Sequence, residues 1–120
     1  MSPILADVLV AFVALVQGAI ALVELLLWNR PAIHRRLAFT ADEARKVAPI
    51  VANAGLYNGF VAAGLLWGLL APGDDLAIKL FFLACVIVAG IFGAMTLRWT
   101  TLLLQALPGA VAFLAVWMST

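Results

Sequence analysis

Charge is what this sequence has least of. Charged side chains make up 11% of its 120 residues and hydrophobic ones 67%, with a mean hydropathy of +1.18. Water-soluble domains carry about 25% charged and about 45–50% apolar residues, so too few polar groups are present here to cover a surface facing water. Cysteine is almost missing. Cys85 stands alone, which excludes an internal disulfide and any CxxC redox or metal pair. It lies in an apolar run, where a free thiol behaves as a small hydrophobe. His34 is the sole histidine, so bis-histidine haem ligation and ordinary multi-histidine metal sites are excluded within one chain. No metal and no cofactor are expected. Serine occurs only at Ser2 and Ser119, and there is no Gly-rich phosphate loop and no HExxH. No catalytic constellation can be read, and whether the chain is an enzyme stays open. A basic stripe on a solvated face, which nucleic acid would need, is also lacking.

Long apolar runs are what is there. A helix needs about 20 predominantly apolar residues to cross the hydrocarbon core of a bilayer, and four segments reach or approach that length. They are predicted as helices over about 8–28, 41–70, 78–97 and 101–118, the last shortened and carrying Pro108 and Gly109. Their length decides for helix over strand. The expected fold is all-α, a single integral membrane domain over 1–120 built as an antiparallel up-down-up-down bundle of four transmembrane helices. The N-terminal run lacks a basic leader, carries Asp7 and ends in Leu27-Trp28-Asn29-Arg30 rather than a small-residue cleavage site, so it is expected to be retained.

The connections are short. In the longest, Thr40-Ala41-Asp42-Glu43 has the form of a capping box, in which hydroxyl and carboxylate each bind the other residue's backbone N–H. The second helix is therefore predicted to begin near Ala41, with Pro49 inside it as a candidate bend. Ala71 to Asp75 reads as a turn, and Arg98-Trp99-Thr100 as a tight reversal. Lysine and arginine in short loops stay on the cytoplasmic side. Arg30, Arg35, Arg36, Arg45 and Lys46 crowd the first connection, Asp74 and Asp75 mark the second, and Arg98 the third. The expectation is a multi-pass protein of the cell membrane with both termini outside.

Polar residues inside the spans are the informative ones, because lipid penalises them unless they are paired or face a cavity. They are Gln17 and Glu24 on the first span, Asn53, Tyr57 and Asn58 on the second, Arg98 at the end of the third and Gln105 on the fourth. At a rise of about 1.5 Å per residue, Glu24 lies roughly 6 Å below the cytoplasmic boundary, Asn53 about 6–9 Å and Gln105 about 6–8 Å. Gln17 shares a face with Glu24, and Asn53 with Tyr57. Together these residues form the candidate polar pocket, in the cytoplasmic half. The structural alternative is interhelical glue, worth about 0.6–2 kcal/mol for each amide. Small residues give a second pattern. Gly55, Gly59 and Ala63, with Gly64 and Gly68, run down the second span, and Gly90, Gly93 and Ala94 lie on the third. Such rows let backbones approach closely. The second span is expected at the centre of the packing, with Gly59 at a backbone contact.

The stretch Asn53-Ala54-Gly55-Leu56-Tyr57-Asn58-Gly59-Phe60, followed by Ala63-Gly64-Leu65, strongly resembles a family of small bacterial and fungal membrane proteins, domain of unknown function 1304. The resemblance covers nearly the whole chain. It includes Glu24 with Leu27-Trp28, the run from Cys85 to Ile91 with Gly93-Ala94, and Gln105 with Leu107-Pro108. It implies four transmembrane helices and no particular activity. Gln17 stands where the family usually has histidine, Ala54 where it has glutamine, Phe92 where it has tyrosine and Ala106 where it has glycine. Chemistry requiring that histidine is not carried over to this chain.

Three functions fit these observations. The leading one is a non-enzymatic membrane protein whose polar pocket binds or passes a small solute, as a homo-oligomer joined through the small-residue rows. The second is a membrane enzyme for a lipid-soluble substrate, with Glu24 as acid or base and Tyr57 or Asn53 orienting the substrate. The third is an accessory subunit of a larger membrane complex. Each has the lipid bilayer as partner.

Overall fold

The computed structural model describes residues 2–73 and 75–120. Among them every regular element is a helix: α1 (Pro3–Leu22), α2 (Pro31–Arg36), α3 (Ala41–Leu70), α4 (Leu76–Thr96) and α5 (Leu107–Met118). Two π-helical turns extend this series. Val23–Leu27 continues α1, and Leu102–Ala106 leads into α5. Asp74, half of the acidic pair expected on the second connection, lies outside the described residues.

Three of these helices are long and apolar enough to cross a membrane. They are Pro3–Leu27, Ala41–Leu70 and Leu76–Thr96, of 25, 30 and 21 residues, while Leu102–Met118 is a shorter apolar helix. At about 1.5 Å per residue the shortest of the three is about 32 Å long, which matches a hydrocarbon core of about 30 Å. Large apolar side chains point outward along them. Leu26, Ile50, Leu70, Phe81, Val88 and Trp117 are all exposed, an arrangement that water penalises and lipid does not.

The first helix begins at Pro3, ahead of the boundary near residue 8 that hydropathy suggests. Proline suits a first helical turn, where its missing N–H has no partner to lose. Ser2 supports the same end by accepting a hydrogen bond at its hydroxyl from the Ile4 N–H, at 3.2 Å. The capping box forms as the sequence implies. Glu43 N–H donates to Thr40 Oγ1 and Thr40 N–H to Glu43 Oε1, both at 3.1 Å, and α3 starts at Ala41. Pro49 is accommodated within α3 without interrupting it. The short α2, inside the first basic connection, has no counterpart in the apolar pattern. It starts on Pro31 and stops at Arg36, and two residues on Ala38 takes the left-handed conformation (φ 61°).

The chain packs as two compact units, Met1–Val16 with Val61–Thr120, and Gln17–Phe60. In the first, Ala6, Val10, Val13 and Ala14 of α1 bury against Leu65, Leu83, Val86, Ala112, Ala115 and Val116. Glycines set its spacing. A Cβ on Gly64 would run into the Phe82 ring, and one on Gly90 would stand 2.9 Å from the Ala106 Cβ. Thr101 ties α4 to the following turn by donating from Oγ1 to the Gly90 carbonyl at 2.9 Å. In the second unit Trp28 is the buried anchor. Its Nε1 donates to the Ala44 carbonyl at 2.9 Å, and its ring meets Phe39 edge-on at 5.5 Å.

Candidate functional site

Gly55 determines where α3 meets the end of the first helix. A Cβ there would lie 2.8 Å from the Glu24 Cβ and 3.2 Å from the Leu25 N, so only hydrogen fits between the two backbones. Gly59, the expected contact, is not the tight one. Its Cβ would meet only the Ala21 Cβ, at an ordinary 3.9 Å. Asn58 lies three residues beyond Gly55, on the same face of α3, and is carried against the first helix with it.

Asn58 is the centre of the site. Its Nδ2 donates to Glu24 Oε1 at 2.6 Å, and its Oδ1 accepts from Gln17 Nε2 at 3.4 Å. One amide thus bridges two side chains seven residues apart on the first helix, which the helical repeat places on one face. Gln17 is only 1% exposed, and among the described residues its Oε1 is buried without a hydrogen-bond partner. An unpaired buried acceptor costs about 1–3 kcal/mol. The arrangement is a chain of acceptors and donors that ends inward on an open acceptor and outward on a half-buried carboxylate. Glu24 sits within the π turn Val23–Leu27, and Gln105 occupies the corresponding turn Leu102–Ala106. Such turns are uncommon and recur at functional positions. No sequence pattern signals them.

The remaining expected residues are placed differently. Asn53 and Tyr57 do not face Glu24. Both are exposed, with Tyr57 at 61% and its ring against Phe60. The physical reason is rotational, since the buried face of α3 is the one carrying Gly55, Asn58 and Gly59, and the face of Asn53 and Tyr57 is turned away from it. Gln105 is half-buried and Arg98 exposed, both in the unit that includes α4 and α5. The glycine rows expected to join copies of the chain are occupied within it. Gly55 meets Glu24 and Leu25, Gly68 meets Lys79, and Gly90 meets Ala106.

A second polar cluster escaped the sequence reading. Lys79, buried in the first turn of α4, donates from Nζ to Asp7 Oδ1 at 2.8 Å and to Asp75 Oδ2 at 2.6 Å. Gly68 makes the room, because a Cβ there would stand 2.8 Å from the Lys79 Cγ. The available signal was a lysine with an acid four residues before it and, near the start of the first span, another acid at the expected level of the second connection.

The fold and these clusters define an all-helical protein with membrane-length apolar helices and hydrogen-bonded polar groups among them. The family model described as "Protein of unknown function (DUF1304)" matches residues 11–117, and the chain belongs to that family. No curated protein and no solved structure matches the chain.

Proposed function

We propose that this chain is a multi-pass membrane protein whose four helical segments form an antiparallel up-down-up-down bundle, and that it binds a small solute bearing N–H donors at Glu24, Asn58 and Gln17. Glycine contacts support the alternating direction. Gly55 meets Glu24 while Gly59 meets Ala21, Gly64 meets Phe82 while Gly68 meets Lys79, and Gly90 meets Ala106 while Gly93 meets Thr101. In each pair of contacts the position rises on one helix as it falls on the other. The five basic residues of the first connection argue for a cytoplasmic placement of that loop, hence of the Glu24 end, with both termini outside. A cysteine at Ala32, in a Cys85→Ala background, should then resist an impermeant thiol reagent added to intact cells, while one at Pro72 reacts. The opposite labelling overturns the orientation.

The unpartnered, buried Oε1 of Gln17 carries the binding proposal. Buried polar groups in membrane helices find partners, and an acceptor left open on a hydrogen-bonded chain that ends in a carboxylate complements a small ammonium-bearing solute. Thermal unfolding of the purified protein with methylammonium, ethanolamine or acetate, against sodium chloride of equal ionic strength, tests this. The two amines should raise the midpoint and acetate should not. Glu24→Gln keeps the shape of the side chain and should fold normally while losing the response. If neither amine shifts the midpoint, or if Glu24→Gln responds as the wild type does, the chain from Gln17 to Glu24 is packing and not a site.

A further inference from the structure

The first connection has a feature that the Glu24 site does not use. Between the end of the first membrane-length helix at Leu27 and the start of α3 at Ala41, a cleft of about 200 Å³ is lined by Asn29, His34, Ala41, Ala44 and Arg45. Its walls are held from several sides. Trp28 donates to the Ala44 carbonyl and packs edge-on against Phe39. His34 Nδ1 lies 3.2 Å from the Phe39 carbonyl, which can only accept, so Nδ1 carries a hydrogen and the ring is fixed. The lining thus combines a guanidinium, a carboxamide and an imidazole on a braced frame.

We propose that this cleft holds the phosphate of an anionic phospholipid headgroup, with Arg45 as its principal charge partner. Three observations select that occupant. Five basic residues stand against two acidic ones over residues 29–46, so the field around the cleft attracts anions. The cleft opens where two apolar helices of membrane length end or begin, which is the level at which headgroups lie and at which a tryptophan is favoured. Exposed Leu26 lies one turn before Asn29 and exposed Ile50 follows Arg45, so both helices continue from the cleft with apolar surface for acyl chains. In this structure Arg45 is ion-paired with Asp42, and both side chains are largely exposed, at 70% and 79%. Asp42 is therefore the competitor that a phosphate displaces. This inference is independent of the Gln17 and Glu24 site, and either can fail without the other.

The test is competitive lipid binding to the full chain, in mixed micelles with phosphatidylglycerol and phosphatidylcholine at equal mole fraction, with retained lipids counted by native mass spectrometry. The wild type should retain phosphatidylglycerol over phosphatidylcholine by about fivefold, the scale of one basic residue at an anionic headgroup. Arg45→Gln should bring the ratio close to one. Asp42→Asn, which releases the guanidinium, should raise it above the wild-type value, and this gain cannot come from misfolding. Millimolar inorganic phosphate should leave the ratio unchanged. If free phosphate displaces the lipid, the site is one for soluble anions and the assignment is overturned. It is equally overturned if Arg45→Gln keeps the preference while Arg35→Gln with Arg36→Gln abolishes it, because attraction is then diffuse and the cleft holds nothing.

Discussion

The cluster of Asp7, Lys79 and Asp75 and the chain of Glu24, Asn58 and Gln17 both set polar groups among apolar side chains, yet only the first closes on itself. Lys79 is 8% exposed and reaches two carboxylates, each still partly open to the outside. Every charge there has an opposite charge within hydrogen-bonding distance. Gln17 is more deeply buried and makes one long bond through its nitrogen, while its oxygen has no partner among the described residues. Ion pairs that close on themselves satisfy every charge, whereas an acceptor left open at the inner end of a hydrogen-bonded chain stores an unmet demand for a donor. Under the proposed reading, the first cluster serves stability and the second serves binding.

Substituting the inner member of each cluster is the most direct way to break that contrast. Lys79→Met keeps the stem that packs over Gly68 but leaves two carboxylates without their cation. Because those carboxylates remain partly hydrated, the expected loss is about 1–2 kcal/mol, below the cost of breaking a fully buried pair. Gln17→Leu removes an unsatisfied acceptor together with a weak hydrogen bond, so stability should stay within about 1 kcal/mol of the wild type. Thermal or denaturant unfolding in one detergent, with both variants side by side, measures the difference. A large loss for Gln17→Leu with none for Lys79→Met would invert the assignment.

Acid gives a smaller and finer comparison. The hydrogen bond from the Lys79 ammonium holds the Asp75 carboxyl below its ordinary value of 3.8. A carboxylate with a depressed value in the folded state contributes stability that is complete above the unfolded value and is lost as pH falls through the folded one. The wild-type unfolding midpoint should therefore drop below about pH 4 by more than that of Asp75→Asn, which has no proton to take up. Equal acid sensitivity in the two proteins would mean that the Lys79 contact contributes nothing in solution.

Much of this organisation was legible in the residues. Thr40 and Glu43 make the reciprocal bonds that their spacing implies, because capping depends on four consecutive residues and little else. Glu24, Gln17 and Asn58 stood out because lipid tolerates few such groups. The choice among Asn53, Tyr57 and Asn58 was not legible from depth, because adjacent residues such as Tyr57 and Asn58 differ by only about 1.5 Å in depth yet point to different faces. It depended on helix rotation. The small-residue stripe could have supplied that rotation, since Gly55, Asn58, Gly59 and Ala62 recur at helical spacing and mark the inward face. The π turns at Glu24 and Gln105 were illegible for another reason. No residue type or spacing demands them.

The four-residue spacing of Asp75 and Lys79 has a consequence for the newly made chain. On the proposed membrane reading α4 enters the bilayer after α1, and without a partner its leading turn would bring in a bare ammonium. Because the acid precedes the base by one turn in the same segment, the pair is neutral overall as soon as that turn coils. On that reading the incoming helix carries its own counter-ion, and Asp7 of the earlier helix supplies a second one once the two helices pack.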